Sequence, residues 1–135
     1  MNIYLACPYS HPSAEMRHLR FQVVSRIAGE LIEQRLTVFS PITHGHAISL
    51  FSPSIPGDWQ FWKEVCHSFL SWAEMLLVVD IPGREASVGV NAEIALAEDI
   101  GLIIEILDKD YCLHILESVK TETLLSREDK LISRI

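Results

Sequence analysis

Between Met75 and Glu93 the chain carries, in the right order, the residue types that a sugar or phosphate site in an α/β protein needs. Met75 to Asp80 is a short apolar run ending in a carboxylate, and the following Ile81-Pro82-Gly83 reads as a turn. Ser87-Val88-Gly89 then opens a helical stretch that places Glu93 about one and a half turns further on. A hydroxyl and unpaired backbone amides at a helix start can hold an oxyanion, and a glycine lets a ligand come close to the backbone. A carboxylate on the next turns can point back to the same mouth. Each signal also has an ordinary meaning: Ser87 as an N-cap, Glu93 as a surface charge favoured by the helix dipole.

Ligands of open parallel sheets gather outside the carboxyl ends of the strands, so the residues following each apolar run are the ones to weigh. They are Cys7, Pro8, Tyr9, Ser10 and His11 after the first run, Ser40, Pro41, Thr43, His44 and His46 after the second, and Asp80 through Glu93 after the third. His44 and His46 form a His-x-His in what reads as a loop, but no third ligand at useful spacing accompanies them, so neither a metal nor a cofactor is expected. Tyr4 reads as a packing residue and Tyr9 as a pocket residue.

The elements that must position these groups follow from periodicity. Ile3 to Ala6 predicts a buried strand, and Met16, Leu19, Val23, Ile27 and Leu31 mark a long amphipathic helix from about Ser13 to Arg35. Leu36 to Phe39 predicts a second strand stopped by Ser40-Pro41, with an irregular excursion from Thr43 to Pro56. Trp59, Trp62, Val65, Phe69 and Trp72 give a second helix with an aromatic face, read as core packing in preference to a base-stacking platform. A third strand at Met75 to Asp80, a third helix at Val88 to Ile100 stopped by Gly101, and a fourth strand at Leu102 to Leu107 complete residues 1–107. Apolar strands alternating with helices predict a single α/β domain, a parallel sheet covered on both faces. The tail, 108–135, predicts one or two short helices whose apolar residues, Leu124, Leu125, Leu131 and Ile132 among them, would pack on the sheet or on a second subunit.

Composition narrows the function classes. A chain of 135 residues can bury a core without disulfides or metals. Its formal charge of -7 argues against a nucleic-acid polymer as partner and favours a small molecule. The odd set Cys7, Cys66 and Cys112 lacks paired zinc spacing and suggests reduced thiols in a cytoplasmic setting. Neither a signal-peptide pattern nor an apolar run long enough to span a membrane is visible, so no membrane association is expected.

Taken as a set, Ile3-Tyr4-Leu5-Ala6-Cys7-Pro8-Tyr9-Ser10, Phe39-Ser40-Pro41-Ile42-Thr43-His44, and Ser87-Val88-Gly89 with Glu93 resemble the nucleoside 2-deoxyribosyltransferase superfamily. Gly57-Asp58-Trp59-Gln60-Phe61-Trp62 resembles a motif of a small bacterial and phage branch of it, and the Ser-x-Gly-x-x-x-Glu spacing is similar to that of the 2'-deoxynucleoside 5'-monophosphate N-glycosidases. The resemblance covers nearly all of residues 1–107.

It implies a flavodoxin-like fold and an N-glycosidase or deoxyribosyltransferase in which Glu93 attacks C1' of a nucleoside or nucleoside 5'-monophosphate. Ser87, with Gly89, matches the position that holds a 5'-phosphate in the hydrolases, although the first-strand loop lacks a phosphate-binding arginine unless Arg17 or Arg20 reaches in. Tyr9, Ser10, His44 and Asp80 are further implied substrate contacts. The resembled enzymes carry an Asp that contacts or protonates the departing base, where this chain has Cys66, a poor substitute for a carboxylate. His67 or Asp58 would then supply the proton, or turnover has been lost. That leaves a nucleotide-binding sensor as the alternative, and an interaction subunit built from the aromatic helix and the tail as a third. The resemblance is also compatible with assembly into a homo-oligomer.

Overall fold

The computed structural model describes the backbone of residues 1–132 and side chains through Ser126. Its centre is β1 (Asn2–Ala6), flanked by parallel β2 (Thr37–Phe39) on one side and parallel β3 (Met75–Val78) on the other, with β4 (Ile103–Ile106) outside β3. The order β2-β1-β3-β4 makes an all-parallel, flavodoxin-like α/β sheet with helices on both faces. Its order reverses between β1 and β3, where such sheets open a crevice at their carboxyl ends.

Strand alternation sorts the core into two layers. Ile3, Leu5 and Cys7, with Leu77 and Val79, face the helices α1 (Ala14–Glu33) and α5 (Lys109–Ile132), meeting Val23, Val24 and Ile27 from the first and Cys112, Ile115, Leu116 and Val119 from the second. Tyr4 and Ala6, with Leu76 and Val78, face α3 (Trp59–Trp72) and α4 (Val88–Ile100), packing on Cys66, Leu70, Val90 and Ala97. Each fully buried aliphatic side chain in these layers stabilises the fold by roughly 1.5–3 kcal/mol. The period of two therefore turns Tyr4 away from the sealed layer and towards the helix that carries Glu93.

Two expectations about elements need correction. The segment read as an irregular excursion contains the helix α2 (Pro41–Phe51), so His44 and His46 lie on a helix and not in a loop. Pro41, taken as a stop, occupies the first helical turn, where its missing N–H costs nothing, and Ser40 caps it by accepting from the Thr43 amide at 3.1 Å. The C-terminal tail forms a single helix, α5, in place of one or two short ones. Leu124 and Leu125 on it are exposed, and the packing expected of Leu131 and Ile132 lies outside the described residues. No described helix is long and apolar enough to cross a membrane.

Candidate active site

The carboxyl ends of β1 and β3 and the starts of α2, α3 and α4 enclose a cavity of about 620 Å³. Glu93 forms part of its wall, is itself buried, and comes from the second turn of α4. Ser87 is the N-cap of that helix, its hydroxyl oxygen accepting from the Val90 amide at 3.2 Å. The Ser87 proton remains available to a ligand, as do the first unpaired amides of the helix. Gly89 also lines the cavity; a Cβ there would only touch the Trp59 ring at 4.0 Å, so packing does not require glycine and the space belongs to the cavity.

Among the described residues, Glu93 has one side-chain hydrogen-bond partner. The Tyr4 hydroxyl, fully buried on β1, donates to its Oε2. Burial pushes the Glu93 carboxyl up to about 7, and the hydrogen bond from Tyr4 pulls the other way. Burial and the adjacent Glu93 charge both push the Tyr4 hydroxyl well above its ordinary range, so it serves as a donor that keeps its proton. Tyr4, which does not itself line the cavity, thus holds a cavity-wall carboxylate as well as packing in the core. The signal for this was in the strand period: residue 4 faces the layer to which residue 93 belongs.

Cys66 lies in the cavity wall, and burial drives its thiol up to about 11, with Glu93 adding to the rise and Tyr4 opposing it. It is a neutral thiol at ordinary pH. Cys7 lines the same cavity, and burial pushes its thiol upward also. Tyr9 and Ser10 line the cavity as expected from their place after β1, and Asp58 stands exposed at its rim as the N-cap residue of α3, without a side-chain capping bond. The aromatic face of α3 divides: Trp59 and Trp62 line the cavity, whereas Val65 and Trp72 are substantially exposed.

Three of the residues given a catalytic or substrate-binding role, His44, His67 and Asp80, lie off the cavity wall. His44 is exposed on α2, although its ring approaches Phe39 and Phe69; His67 is exposed on α3. Asp80 pairs with Arg84, which donates from Nε at 2.9 Å. The member of His44-x-His46 that does reach the cavity is His46, buried, with Tyr9 Oη 2.7 Å from its Nδ1 and His18 Nδ1 3.1 Å from its Nε2. Only α2 being a helix decides which of the two histidines turns inward.

Arg20 reaches the cavity from α1, whereas Arg17 donates to the His11 carbonyl. The Arg20 guanidinium is buried and donates to the carbonyls of Tyr9 (3.3 Å), Ser10 (3.0 Å) and Pro82 (3.2 Å), which ties the loop after β1 to the loop after β3. Its Nε has no hydrogen-bond partner among the described residues. Gly83, at φ +100°, is where that buckle requires glycine: a Cβ there would sit 2.6 Å from Arg20 Nη2.

Residues 1–109 match the family described as a domain of unknown function, DUF1937. The chain belongs to the DUF1937 family. The matched region runs from β1 through β4 and so includes every residue of the cavity wall. No curated protein matches the sequence.

Proposed function

We propose that this DUF1937 protein is an N-glycosidase or deoxyribosyltransferase that cleaves the base–sugar bond of a nucleoside or nucleoside 5'-monophosphate, with Glu93 as nucleophile. The observation that carries the reading is a buried carboxylate in the wall of a cavity at the sheet's carboxyl edge, oriented by a tyrosine hydroxyl from the neighbouring strand. Such a carboxylate suits an oxocarbenium-like transition state, because desolvation strengthens its attraction for the cationic C1'. Positive charge developing at C1' as the bond breaks favours the ionised form of Glu93, against the burial that pushes its carboxyl up to about 7 in the free protein.

The remaining cavity fits the rest of such a substrate. Ser87 and the start of α4 are suited to a hydroxyl or phosphate of the sugar, and Trp59 and Trp62 present apolar surface for a base. The two half-reactions balance simply. Glu93 forms an ester to C1' as the C1'–N bond breaks; water then gives a hydrolase product, or a second base gives a transferase product. The resemblance to the nucleoside 2-deoxyribosyltransferase superfamily supports the same assignment.

A nucleotide-binding protein without turnover is the second reading, favoured by Cys66, a neutral thiol where the resembled enzymes have a carboxylate. Chromatographic detection of free base separates the two. The parent and Glu93→Ala are incubated with deoxy- and ribonucleosides and their 5'-monophosphates, with and without an acceptor base. Release by the parent alone is expected. Ligand-induced thermal stabilisation with no release from any panel member would replace the enzyme reading with the sensor reading.

A further inference from the structure

A nucleobase leaving as an anion is about as basic as a phenolate, so its departure is greatly eased by a proton delivered in the transition state. Among the described residues, the cavity wall contains two carboxyl groups, Glu93 and Asp58. The first is spent as nucleophile under the reading above, and the second stands exposed at the rim. His67 lies off the wall. What the wall does contain is the start of a hydrogen-bonded chain leading out to solvent: Tyr9 Oη to His46 Nδ1 at 2.7 Å, and His46 Nε2 to His18 Nδ1 at 3.1 Å. Tyr9 and His46 line the cavity, His46 is buried, and His18 is exposed on α1.

We infer that the Tyr9 hydroxyl donates the proton taken by the departing base and is reprotonated from solvent through His46 and His18. This inference rests on the glycosyl-transfer reading. As Glu93 bonds to C1', the electrons of the C1'–N bond pass to the base nitrogen, which takes the Tyr9 proton. His46 passes its Nδ1 proton to the Tyr9 oxygen, His18 passes its Nδ1 proton to His46 Nε2, and a solvent proton enters at His18 Nε2. The base leaves neutral, and the proton gained is returned when water or an acceptor base releases its own proton on resolving the ester.

The surroundings suit a relay that holds no permanent charge. Phe21 stacks on the His46 ring with centroids 4.3 Å apart and planes 24° apart, and Tyr9 meets it edge-on at 5.7 Å, fixing both ring nitrogens on their partners. Ser49 occupies its hydroxyl with the His46 carbonyl at 2.7 Å. Burial, with His18 and Arg17 beside it, keeps His46 below the usual histidine range and hence neutral near pH 7. Burial raises the Tyr9 hydroxyl, against the opposing pull of Arg17 and Ser49, so it holds its proton until a basic leaving group forms.

The test compares leaving groups. The parent, Tyr9→Phe and His18→Ala are assayed on the 2'-deoxynucleosides and their 5'-monophosphates, and on 4-nitrophenyl 2-deoxyribofuranoside and its 5'-phosphate, whose nitrophenolate leaves without a proton. Tyr9→Phe is expected to lose about 10²–10³-fold in kcat on the nucleobase substrates and less than about 3-fold on the nitrophenyl ones. His18→Ala, at an exposed position that leaves folding intact, is expected to lose several-fold on the nucleobase substrates alone, with partial rescue by added imidazole. Equal losses of Tyr9→Phe on both substrate types, or none on either, overturn the relay while leaving Glu93 as nucleophile. Failure of Tyr9→Phe to fold transfers the decision to His18→Ala, for which a parental rate on nucleobase substrates overturns the relay. A parent that cleaves only the nitrophenyl substrates overturns the relay alone; one that cleaves neither type overturns the glycosyl reading and this inference with it.

Discussion

The molecule contains the same pair of side chains twice, a tyrosine hydroxyl donating to a glutamate, in two different settings. Tyr111 on α5 donates to Glu30 on α1, at the partly exposed seam between two helices on the sealed side of the sheet. Tyr4 on β1 donates to Glu93 on α4, with both residues buried and Glu93 forming part of a cavity wall. At the seam, water solvates what the tyrosine does not, and the pair joins two helices already held by Cys112, Ile115, Leu116 and Val119. In the cavity wall, one hydroxyl carries much of the burden of a desolvated carboxylate, whose affinity for protons rises accordingly. Identical chemistry is an accessory to packing in one place and, under the proposed function, a reactive group in the other, and burial next to an open cavity makes the difference.

Removing the carboxylate is the severest way to break the comparison. Glu93→Gln is expected to lower base release by about 10⁴-fold or more, while Glu30→Gln leaves it within about 2-fold of the parent; steady-state kinetics on the substrate the parent prefers checks both. Retained turnover in Glu93→Gln would exclude Glu93 as nucleophile.

The same two variants should differ in stability as pH rises. The folded-state pKa of Glu93 is about 7 against the 4.5 of an ordinary glutamate, so between those values the native state binds more protons than the unfolded state. Stability contributed by the protonated carboxyl is fully present below about 4.5 and is lost as pH climbs through about 7. Glu93→Gln, which keeps an acceptor for Tyr4 and has no charge to bury, should gain on the order of 2–3 kcal/mol relative to the parent between pH 4.5 and pH 8. Denaturant titrations at those two pH values decide it; a pH-independent difference would show that Glu93 is not desolvated as the structure has it.

Tyr4→Phe sharpens the comparison by removing only the donor. It should destabilise the fold by about 1–3 kcal/mol and move the alkaline-rising limb of kcat/KM upward from about 7, because Tyr4 is the group opposing the rise in the Glu93 carboxyl. Tyr111→Phe should cost no more than about 1 kcal/mol and leave that limb in place. The smallest effect is expected at the cap. Ser87→Ala should cost about 1 kcal/mol of thermal stability, with a rise in KM confined to phosphorylated substrates if the start of α4 holds a 5'-phosphate.

Much of the fold can be read along the chain because its signals are local. Apolar runs give the strands, Ser13 and Ser87 give helix starts, and Gly101, in the left-handed conformation at φ +78°, gives the stop of α4. Pro41 shows the limit of that reading, since the same residue ends one element and begins another, and only the capping bond of Ser40 distinguishes the cases. The wall of the candidate site was legible where its residues sit together in sequence, at Ser87, Gly89 and Glu93, and directly after a strand, at Tyr9 and Ser10, all of which line the cavity. It was hidden where partners are far apart: Tyr4 and Glu93 are 89 residues apart, and His18 and His46 are 28 apart.

The sequence by itself determined the class of the protein, a parallel sheet between helices, because strand and helix periods are short-range properties that each segment expresses alone. The tertiary structure decided which polar residues have anything to act on. Facing direction, burial and hydrogen-bond partner separate His46 from His44 and Tyr4 from an ordinary core tyrosine, and they leave His67 and Asp80 off the cavity wall. Those properties depend on the register of β1 against β3 and on the packing of α1, α2 and α4 around it, which no single segment encodes.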